Sequence, residues 1–324
     1  MRDAKPELIL CSAGMPDDAL ARLARYGTVA VLETADLPRD RLRDAVAIAA
    51  RASTRIDAPV LRAAPALRVL GRSGVGTDNI DVAEATRRGI PIVITPEATT
   101  RPVAEGAVAL VLALAKRLPA LHDAVKSGDW AMRDSLDLLD LDGTTLGVVG
   151  LGRVGCKVAE LAAGLGFRVA AYEPFPAGDT QLVPLVDLHT LLSGSRVVVV
   201  TAAATETSRG MFGLDTLRRC RRGAVFVNVS RGELVASLDD LREALDRGYL
   251  SGVGLDVFDR EPPCPSHPLF TDPRVIVTPH ALAFTERGRR AVFTDMVDGM
   301  AAVLSGRRAE HIANPSVYER EANS

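Results

Sequence analysis

The sequence predicts an α/β protein with two parallel sheets, each covered by helices on both faces. Short apolar runs alternate with amphipathic segments through the first hundred residues, and a second alternation of the same kind starts at Thr145. Strands that are apolar throughout and joined by helices are typical of parallel sheets. The length of 324 residues suits two domains of roughly 150 residues each.

The first alternation predicts five strands and four helices. The strands are expected at residues 7–12, 28–33, 45–50, 67–71 and 90–95, and the helices at 17–25, 38–44, 59–64 and 82–88.

A long helix is expected next, from Pro102 to Leu118, with Pro119 ending it. It is apolar almost all round, which predicts burial on most sides. It could cross between domains, pack in a subunit interface, or belong to an ordinary core. The segment 123–142 is more polar and is expected to be helix and loop.

The second alternation predicts six strands, enough for a complete dinucleotide-binding sheet. The strands are expected at 145–150, 168–173, 196–201, 224–230, 252–258 and 275–279, with helices at 153–164, 187–192, 214–220 and 237–247. A last helix, 285–304, has no strand after it. We expect it to pack on the first domain, giving domains of 1–101 with 285–324, and 102–284.

Composition excludes several classes of protein. The chain is 47% hydrophobic and 25% charged, as in soluble globular proteins, and a net charge of -2 gives no basic field for nucleic acid or anionic lipid. No apolar stretch reaches the roughly 20 residues of a membrane span. The four cysteines form no C-x-x-C pair and have no metal-ligand spacing, so we expect no metal site. We expect the cysteines to be free thiols and the protein to be cytoplasmic.

A glycine-rich turn separates the strand 145–150 from the helix 153–164, and it runs Gly150-Leu151-Gly152-Arg153-Val154-Gly155. In this context the spacing predicts a Rossmann dinucleotide site. Gly150 would allow the tight turn, Gly152 the approach of a pyrophosphate, and Gly155 close packing of helix on strand. The amide groups of Arg153 and Val154 would bind the pyrophosphate.

Glu173 ends the next predicted strand, about 20 residues after the turn. Its carboxylate would accept hydrogen bonds from the adenosine ribose and repel a 2′-phosphate. Pro174-Phe175-Pro176 follow it and offer no arginine to neutralise such a phosphate. The sequence therefore predicts NAD rather than NADP.

Four polar residues follow apolar runs in the second half of the chain: Arg231, Asp256, Glu261 and His280. Hydride transfer between an alcohol and a nicotinamide needs a proton carrier, which histidine provides near neutral pH. It also needs a group that binds carboxylate and carbonyl oxygens, which suits the planar fork of arginine. A carboxylate beside the histidine would orient the ring.

These motifs make the chain resemble the D-isomer-specific 2-hydroxyacid dehydrogenases over nearly all of its length. The matching segments are 71–81, 103–105, 150–155, 228–233, 254–263 and 277–280. The resemblance implies a Rossmann NAD-binding domain inserted in a smaller, flavodoxin-like substrate domain, with the active site in the cleft between them. It also implies a homodimer built on the cofactor domain.

The resemblance also implies roles for individual residues. Arg231 binds the carboxylate and carbonyl of the substrate, His280 is the acid and base, and Glu261 pairs with His280. Asp256 contacts the nicotinamide half of the cofactor, Val75 and Gly76 hold the substrate carboxylate through their backbone, and Thr205, Val229 and Ser230 line the cofactor.

The substrate is less defined than the reaction. Arg51, Arg72 and Arg133 lie in segments that resemble those binding phosphate in 3-phosphoglycerate dehydrogenases, although solvated arginines are an equal alternative. The candidate substrates are 3-phosphoglycerate, hydroxypyruvate and glyoxylate. The chain departs from the family in the loop 201–205, which has no histidine and proline, and at the bulky Phe284 after the catalytic histidine.

Two other functions fit the same fold. A formate dehydrogenase would carry glutamine where Glu261 stands, so this alternative is discounted. A non-catalytic NAD(H)-sensing protein of the corepressor kind would carry extra peptide-binding segments, which the sequence does not show. The prediction is therefore an NAD-dependent oxidoreductase acting on a small D-2-hydroxy acid.

Overall fold

The computed structural model describes residues 7–135, 137–175 and 183–319. Its strands are β1 (Leu8–Cys11), β2 (Thr28–Val31), β3 (Ala45–Ala50), β4 (Val69–Arg72), β5 (Ile92–Val93), β6 (Thr145–Val149), β7 (Arg168–Tyr172), β8 (Val197–Val200), β9 (Ala224–Asn228), β10 (Leu250–Leu255) and β11 (Val275–Val277). Its helices are α1 (Asp17–Leu23), α2 (Arg39–Leu42), α3 (Ala58–Ala63), α4 (Val82–Arg87), α5 (Pro96–Ala115), α6 (Leu118–Ser127), α7 (Arg153–Gly164), α8 (Leu188–Gly194), α9 (Leu214–Leu217), α10 (Leu238–Asp246) and α11 (Glu286–Leu304).

The chain divides into two compact units. Unit 1 comprises Met1–Thr99 and Thr285–Ser324, and unit 2 comprises Thr100–Phe284. This division differs from the predicted boundaries by two residues at the first junction. The assignment of 1–101 with 285–324 as substrate domain, and of 102–284 as NAD-binding domain, stays a prediction.

Unit 1 contains a five-stranded parallel sheet in the order β2-β1-β3-β4-β5, the flavodoxin-like order. One apolar cluster joins the sheet to α1 and α11 through residues such as Leu23 and Met296, and a second cluster covers the other face. Gly71 in β4 allows α11 to lie directly on the sheet, because a Cβ there would be 2.2 Å from the Met300 sulfur. The last helix therefore belongs to this unit, as its position in the sequence suggested.

Unit 2 contains a six-stranded parallel sheet in the order β11-β10-β9-β8-β6-β7. A single parallel bridge between Ala171 and Leu185 adds a further position beyond β7. If β6 and β7 are numbered 1 and 2, the Leu185 bridge 3, and β8, β9 and β10 are numbered 4, 5 and 6, these strands lie in the Rossmann order 3-2-1-4-5-6. Strand β11 extends the sheet beside β10. The predicted fold class, two doubly wound parallel sheets, is confirmed.

Helix α5 corrects the prediction for the middle of the chain. It starts at Pro96, six residues before the predicted start, and Pro102 lies inside it. Proline fits a first helical position equally well at 96 and at 102, so sequence alone did not distinguish them. The helix is also not buried on most sides: Ala104, Ala107, Val111 and Leu114 form one buried face on the unit 2 sheet.

Pro119 does not end a helix, as had been predicted, but opens one. Arg117 has a left-handed backbone with φ of 47°, which stops α5, and α6 starts at Leu118 with Pro119 in its first turn. A proline in a first turn costs no hydrogen bond, since the first amides of a helix have no partner within it. A short 3-10 helix, Trp130–Asp134, follows α6.

Helix α5 is also long and apolar enough to cross a membrane by length and composition alone. Core helices of soluble proteins meet the same criterion, and this helix packs into the core of unit 2. Gly252 and Gly254 on β10 give it room, since a Cβ on either residue would lie 3.2 Å from Leu114.

Candidate active site

The glycine turn lies at the end of β6, where the strand order of the unit 2 sheet reverses between β6 and β8. Gly150 has φ of 94°, and a Cβ there would lie 2.4 Å from the backbone of Ala202. A Cβ on Gly155 would lie 2.0 Å from the Gly150 oxygen. Gly152, in contrast, has no atom within 4 Å of that position. Two glycines are thus required by packing, and the third leaves an open cradle at the start of α7 that suits a pyrophosphate.

Glu173 follows β7 and is held beside this turn by two backbone amides. Leu151 N donates to Oε2 at 2.9 Å, and Phe175 N donates to Oε1 at 3.0 Å. The carboxylate is therefore fixed at the edge of the cradle, where the ribose of a dinucleotide is expected. Pro176, which was part of the argument against NADP, lies outside the described residues.

Arg231 is positioned by Asn228, a residue to which the sequence argument gave no role. Asn228 ends β9 and is completely buried. Its Nδ2 donates to the Arg231 oxygen at 2.9 Å, and its Oδ1 accepts from Ser230 N at 3.1 Å. One buried side chain thus closes the loop that carries the arginine. The signal in the sequence was a polar residue at the end of an apolar strand.

Gly232 brings this loop against the next one. A Cβ at Gly232 would lie 1.8 Å from the carbonyl carbon of Phe258 and 2.2 Å from Asp259 N. The two backbones are therefore in direct contact, and a larger residue would separate them. Consequently Arg231 lies near Glu261, close enough for its charge to act on that carboxylate.

His280 and Glu261 form a pair. His280 Nδ1 lies 2.8 Å from Glu261 Oε2, and Phe258 N donates to Glu261 Oε1 at 3.1 Å. Burial alone would raise the pKa of Glu261. The hydrogen bonds from His280 and Phe258, with the charges of His280 and Arg231, outweigh that effect and lower the pKa. Glu261 is therefore ionised at neutral pH, as an orienting partner for the imidazole must be.

Asp256 directly follows β10 and is buried, with 2% of its surface exposed. Its Oδ1 accepts from Thr278 Oγ1 at 2.6 Å and from Ala281 N at 2.9 Å. Burial raises the pKa of Asp256, and these hydrogen bonds only partly offset that rise. The contacts that the structure gives Asp256 thus run to the loop that carries His280, while its predicted contact with nicotinamide stays a prediction.

The loop 201–205, which departs from the family pattern, is tied to its neighbours by hydroxyl groups. Thr201 Oγ1 donates to the Gly150 oxygen at 2.6 Å, and Ser230 Oγ donates to the Ala202 oxygen. Thr205 N donates to Ser208 Oγ at 2.7 Å. Val229 packs its side chain into the core, so a cofactor contact there would come from its backbone. Thr205 and Ser230 thus lie on loops at the cofactor end of the sheet.

Phe284 and Leu282 follow His280 and lie in different surroundings. Phe284 is 55% exposed. Leu282 packs on α5 at Gly106, where a Cβ would be 2.7 Å from Leu282 Cδ2. The segment is therefore held against α5 by Leu282 and not by the bulkier Phe284.

In unit 1, Arg51 and Arg72 are neighbours at the carboxyl end of the sheet. Arg72 ends β4 and pairs with Ala50 of β3, which Arg51 follows directly. Val75 is 47% exposed, and Gly76 lies beside it in the loop after β4. In unit 2, Arg133 is exposed and lies 3.4 Å from Asp134.

Comparisons with known proteins agree with this geometry. Residues 108–281 match the NAD binding domain of the D-isomer specific 2-hydroxyacid dehydrogenases. A glyoxylate reductase of Korarchaeum cryptofilum is 36% identical over 86% of this chain and 86% of its own length. A D-3-phosphoglycerate dehydrogenase of Archaeoglobus fulgidus is 34% identical over 95% of this chain but only 60% of its own length.

Among solved structures, an NADPH-dependent glyoxylate/hydroxypyruvate reductase of Sinorhizobium meliloti, in complex with NADP and malonate, matches with a TM-score of 0.84. It is 28% identical and covers 95% of this chain and 97% of its own. The predicted family resemblance and the nicotinamide cofactor are thereby confirmed. The choice between NAD and NADP, and the individual site residues, stay predictions.

Proposed function

The chain belongs to the D-isomer specific 2-hydroxyacid dehydrogenase family, and we propose that it catalyses the NAD-dependent interconversion of a D-2-hydroxy acid and its 2-keto acid. The observation that carries the proposal is the His280–Glu261 pair, 2.8 Å apart, with Arg231 beside it. These residues follow β9, β10 and β11, neighbouring strands of the sheet that also carries the glycine turn. The bound nicotinamide would supply or accept the hydride.

The geometry defines which atom of His280 exchanges the proton. Because Nδ1 faces Glu261, Nε2 is the nitrogen left to act on the substrate oxygen. In reduction of a keto acid, Nε2 of the imidazolium would protonate the oxygen, and Glu261 would stabilise the cation. Arg231 would bind the substrate carboxylate and polarise the carbonyl.

The cofactor would be held by the residues around the glycine turn. Gly152 leaves the space, and the amides of Arg153 and Val154 at the start of α7 would bind a pyrophosphate there. Glu173, fixed by Leu151 N and Phe175 N, would bind the ribose hydroxyls and disfavour a 2′-phosphate. We therefore expect a higher kcat/KM with NADH than with NADPH, although the reductase from Sinorhizobium meliloti depends on NADPH.

Two kinds of substrate are supported by different relatives. The pair Arg51 and Arg72, at the ends of adjacent strands, suits the phosphate of 3-phosphoglycerate, and several matched relatives are D-3-phosphoglycerate dehydrogenases. The chain spans only 52% to 60% of the length of the dehydrogenases from Archaeoglobus fulgidus and Mycobacterium bovis, whereas it spans 86% of a glyoxylate reductase. Val75 and Gly76 would hold the substrate carboxylate in either case.

A substrate screen tests the proposal. NADH oxidation would be followed with hydroxypyruvate, glyoxylate, pyruvate, 2-oxoglutarate and 3-phosphohydroxypyruvate. Turnover of at least one keto acid is expected. No turnover with any of them, despite NADH binding, would instead favour the NAD(H)-sensing alternative, which the named relatives do not favour. For a phosphorylated substrate, 3-phosphoglycerate should exceed D-glycerate in kcat/KM, and equal values would exclude that substrate class.

We further propose a homodimer built on unit 2. Large apolar side chains are exposed on α6 and just after it: Leu118, Val125 and Trp130, at 52%, 61% and 67%. An exposed apolar patch of this kind is typical of a protein interface. Light scattering should give twice the chain mass of 34.4 kDa, and Trp130→Glu should shift it towards the monomer.

A further inference from the structure

Residues 278–281 form a tight turn whose two ends bind the same carboxylate oxygen. Thr278 Oγ1 donates to Asp256 Oδ1 at 2.6 Å, and Ala281 N donates to it at 2.9 Å. Thr278 N also donates to the Leu255 oxygen at 2.9 Å, continuing the ladder between β11 and β10. The turn is therefore fastened to β10 on both sides of His280.

His280 lies at the apex of this turn in a left-handed conformation, with φ of 50°. Such a conformation is unfavourable for any residue with a side chain, because the Cβ comes too close to the following carbonyl oxygen. His280 N donates to the Thr278 oxygen at 3.0 Å, and Pro279 between them has no amide hydrogen to donate. The local chain thus needs outside contacts to keep the apex in place, and Asp256 Oδ1 provides them.

The left-handed apex directs the imidazole of His280 to Glu261 Oε2. An extended backbone at 280 would point the ring elsewhere, and the 2.8 Å contact would be lost. Asp256 itself is 2% exposed, so water offers little replacement for a lost donor.

We propose that Thr278 is a positioning residue, whose hydroxyl acts through Asp256 to hold His280 in the left-handed conformation that pairs it with Glu261. The proposal rests on the proposed function for the role of His280 in the reaction. Thr278 touches neither the imidazole nor, in this scheme, the substrate. Its effect on turnover is indirect and should appear in kcat rather than in cofactor binding.

The test compares Thr278→Val, which keeps the shape and removes the donor, with Thr278→Ser, which keeps the donor. The valine variant should lose about 10- to 100-fold in kcat, because small displacements of a catalytic group have effects of this size. Its KM for NADH should stay within about twofold of the wild type. The serine variant should recover most of the lost kcat.

Thr144→Val is a matched control. Thr144 Oγ1 donates to the Asp140 oxygen at 2.6 Å, the same length, but just before β6, at the opposite end of the unit 2 sheet. It should lower the melting temperature without lowering kcat. Wild-type kcat in Thr278→Val, or equal losses in the valine and serine variants, would overturn the proposal. Should the valine variant fail to fold, Thr278→Ala removes the same donor without placing a methyl group at the carboxylate, and the same outcomes apply.

A spectroscopic measurement separates this proposal from the proposed function. The Nδ1 proton of His280, held at Glu261, should give a downfield proton resonance that His280→Gln lacks. Thr278→Val should broaden or shift that resonance, and Thr278→Ser should retain it. An unchanged resonance in Thr278→Val contradicts the positioning role even if no substrate is turned over. A wild-type protein without turnover contradicts only the proposed function.

Discussion

The carboxyl ends of the two sheets differ in how their polar side chains are held. In unit 2, the buried residues Asn228 and Asp256 fasten the loops that carry Arg231 and His280. In unit 1, the buried Ser12 and Thr54 bind each other at 2.8 Å, and the hydrogen bond that Ser12 Oγ accepts from the Arg51 backbone is longer, at 3.3 Å. Unit 1 offers the exposed Val75 and Arg51 and the half-buried Arg72.

This difference corresponds to two functions, proton transfer in unit 2 and recognition of an anion in unit 1. A proton carrier must lie within hydrogen-bonding distance of one atom, so its loop has to be rigid. Groups that recognise an anion can act through charge and several donors, and they tolerate more movement. We therefore expect changes in unit 2 to affect the rate of reaction, and changes in unit 1 to affect the choice of substrate.

The largest expected effect separates these two roles directly. His280→Ala or Arg231→Ala should lower kcat/KM by about 10²–10⁴, the range for loss of a general acid or a positioned charge. Arg51→Gln should alter kcat/KM for a phosphorylated substrate by about tenfold or less and leave glyoxylate unaffected. Steady-state kinetics on the three variants, with circular dichroism to verify folding, checks this. Near-native rates for His280→Ala would refute the assigned acid and base.

A smaller effect is expected from the two buried asparagines, one in each unit. Asn314 in unit 1 is 4% exposed, and its amide binds Ile92 N at 2.9 Å and the Ile90 oxygen at 2.9 Å. Asn228 makes the same kinds of bonds to Ser230 N and the Arg231 oxygen. Alanine at Asn314 removes the partner of Ile92 N and of the Ile90 oxygen. Alanine at Asn228 removes the partner of Ser230 N, while the Arg231 oxygen keeps its hydrogen bond from Leu234 N at 3.3 Å. Each buried backbone group left without a partner costs about 1–3 kcal/mol.

The two asparagines should differ in both stability and function. Urea unfolding should show a loss for both alanine variants, and the larger loss for Asn314→Ala, since Asn314 Nδ2 also donates to Thr86 Oγ1 at 3.0 Å. Only Asn228→Ala should also lower kcat/KM, by about tenfold, because Arg231 loses its fixed backbone. Equal activity of the two variants would show that the Arg231 loop is held by other contacts.

Features that combine a characteristic residue type with a characteristic spacing could be predicted from the sequence. The glycine turn was predicted because it lies between an apolar strand and a helix, and the structure shows why two of its glycines cannot carry a side chain. The pair His280 and Glu261 followed from the family resemblance, since 19 residues separate them and no local pattern joins them. Strand positions were predictable because each core strand is apolar on both faces.

Other features depended on contacts that no local pattern records. The left-handed backbone of His280 results from bonds to Asp256, 24 or so residues earlier, and a histidine after proline does not predict it. The role of Asn228 arises from hydrogen bonds to a loop that bends back. The single bridge at Leu185 was missed because one paired residue gives no alternation to detect.

The smallest expected effect concerns the acid stability that Glu261 contributes to unit 2. Because its folded pKa is lowered, its contribution is present at pH values above its ordinary value of 4.5 and is lost as the pH falls through the folded value. The side chain is 39% exposed, so solvent screening limits the effect to at most about 1 kcal/mol.

Glu261→Gln should therefore be slightly less stable than the wild type at pH 7. Thermal unfolding as a function of pH should show this difference shrinking below pH 4.5, where the wild-type carboxyl also becomes neutral. A gap for Glu261→Gln that widens on acidification would mean that its loop is held by contacts other than the ionised carboxylate.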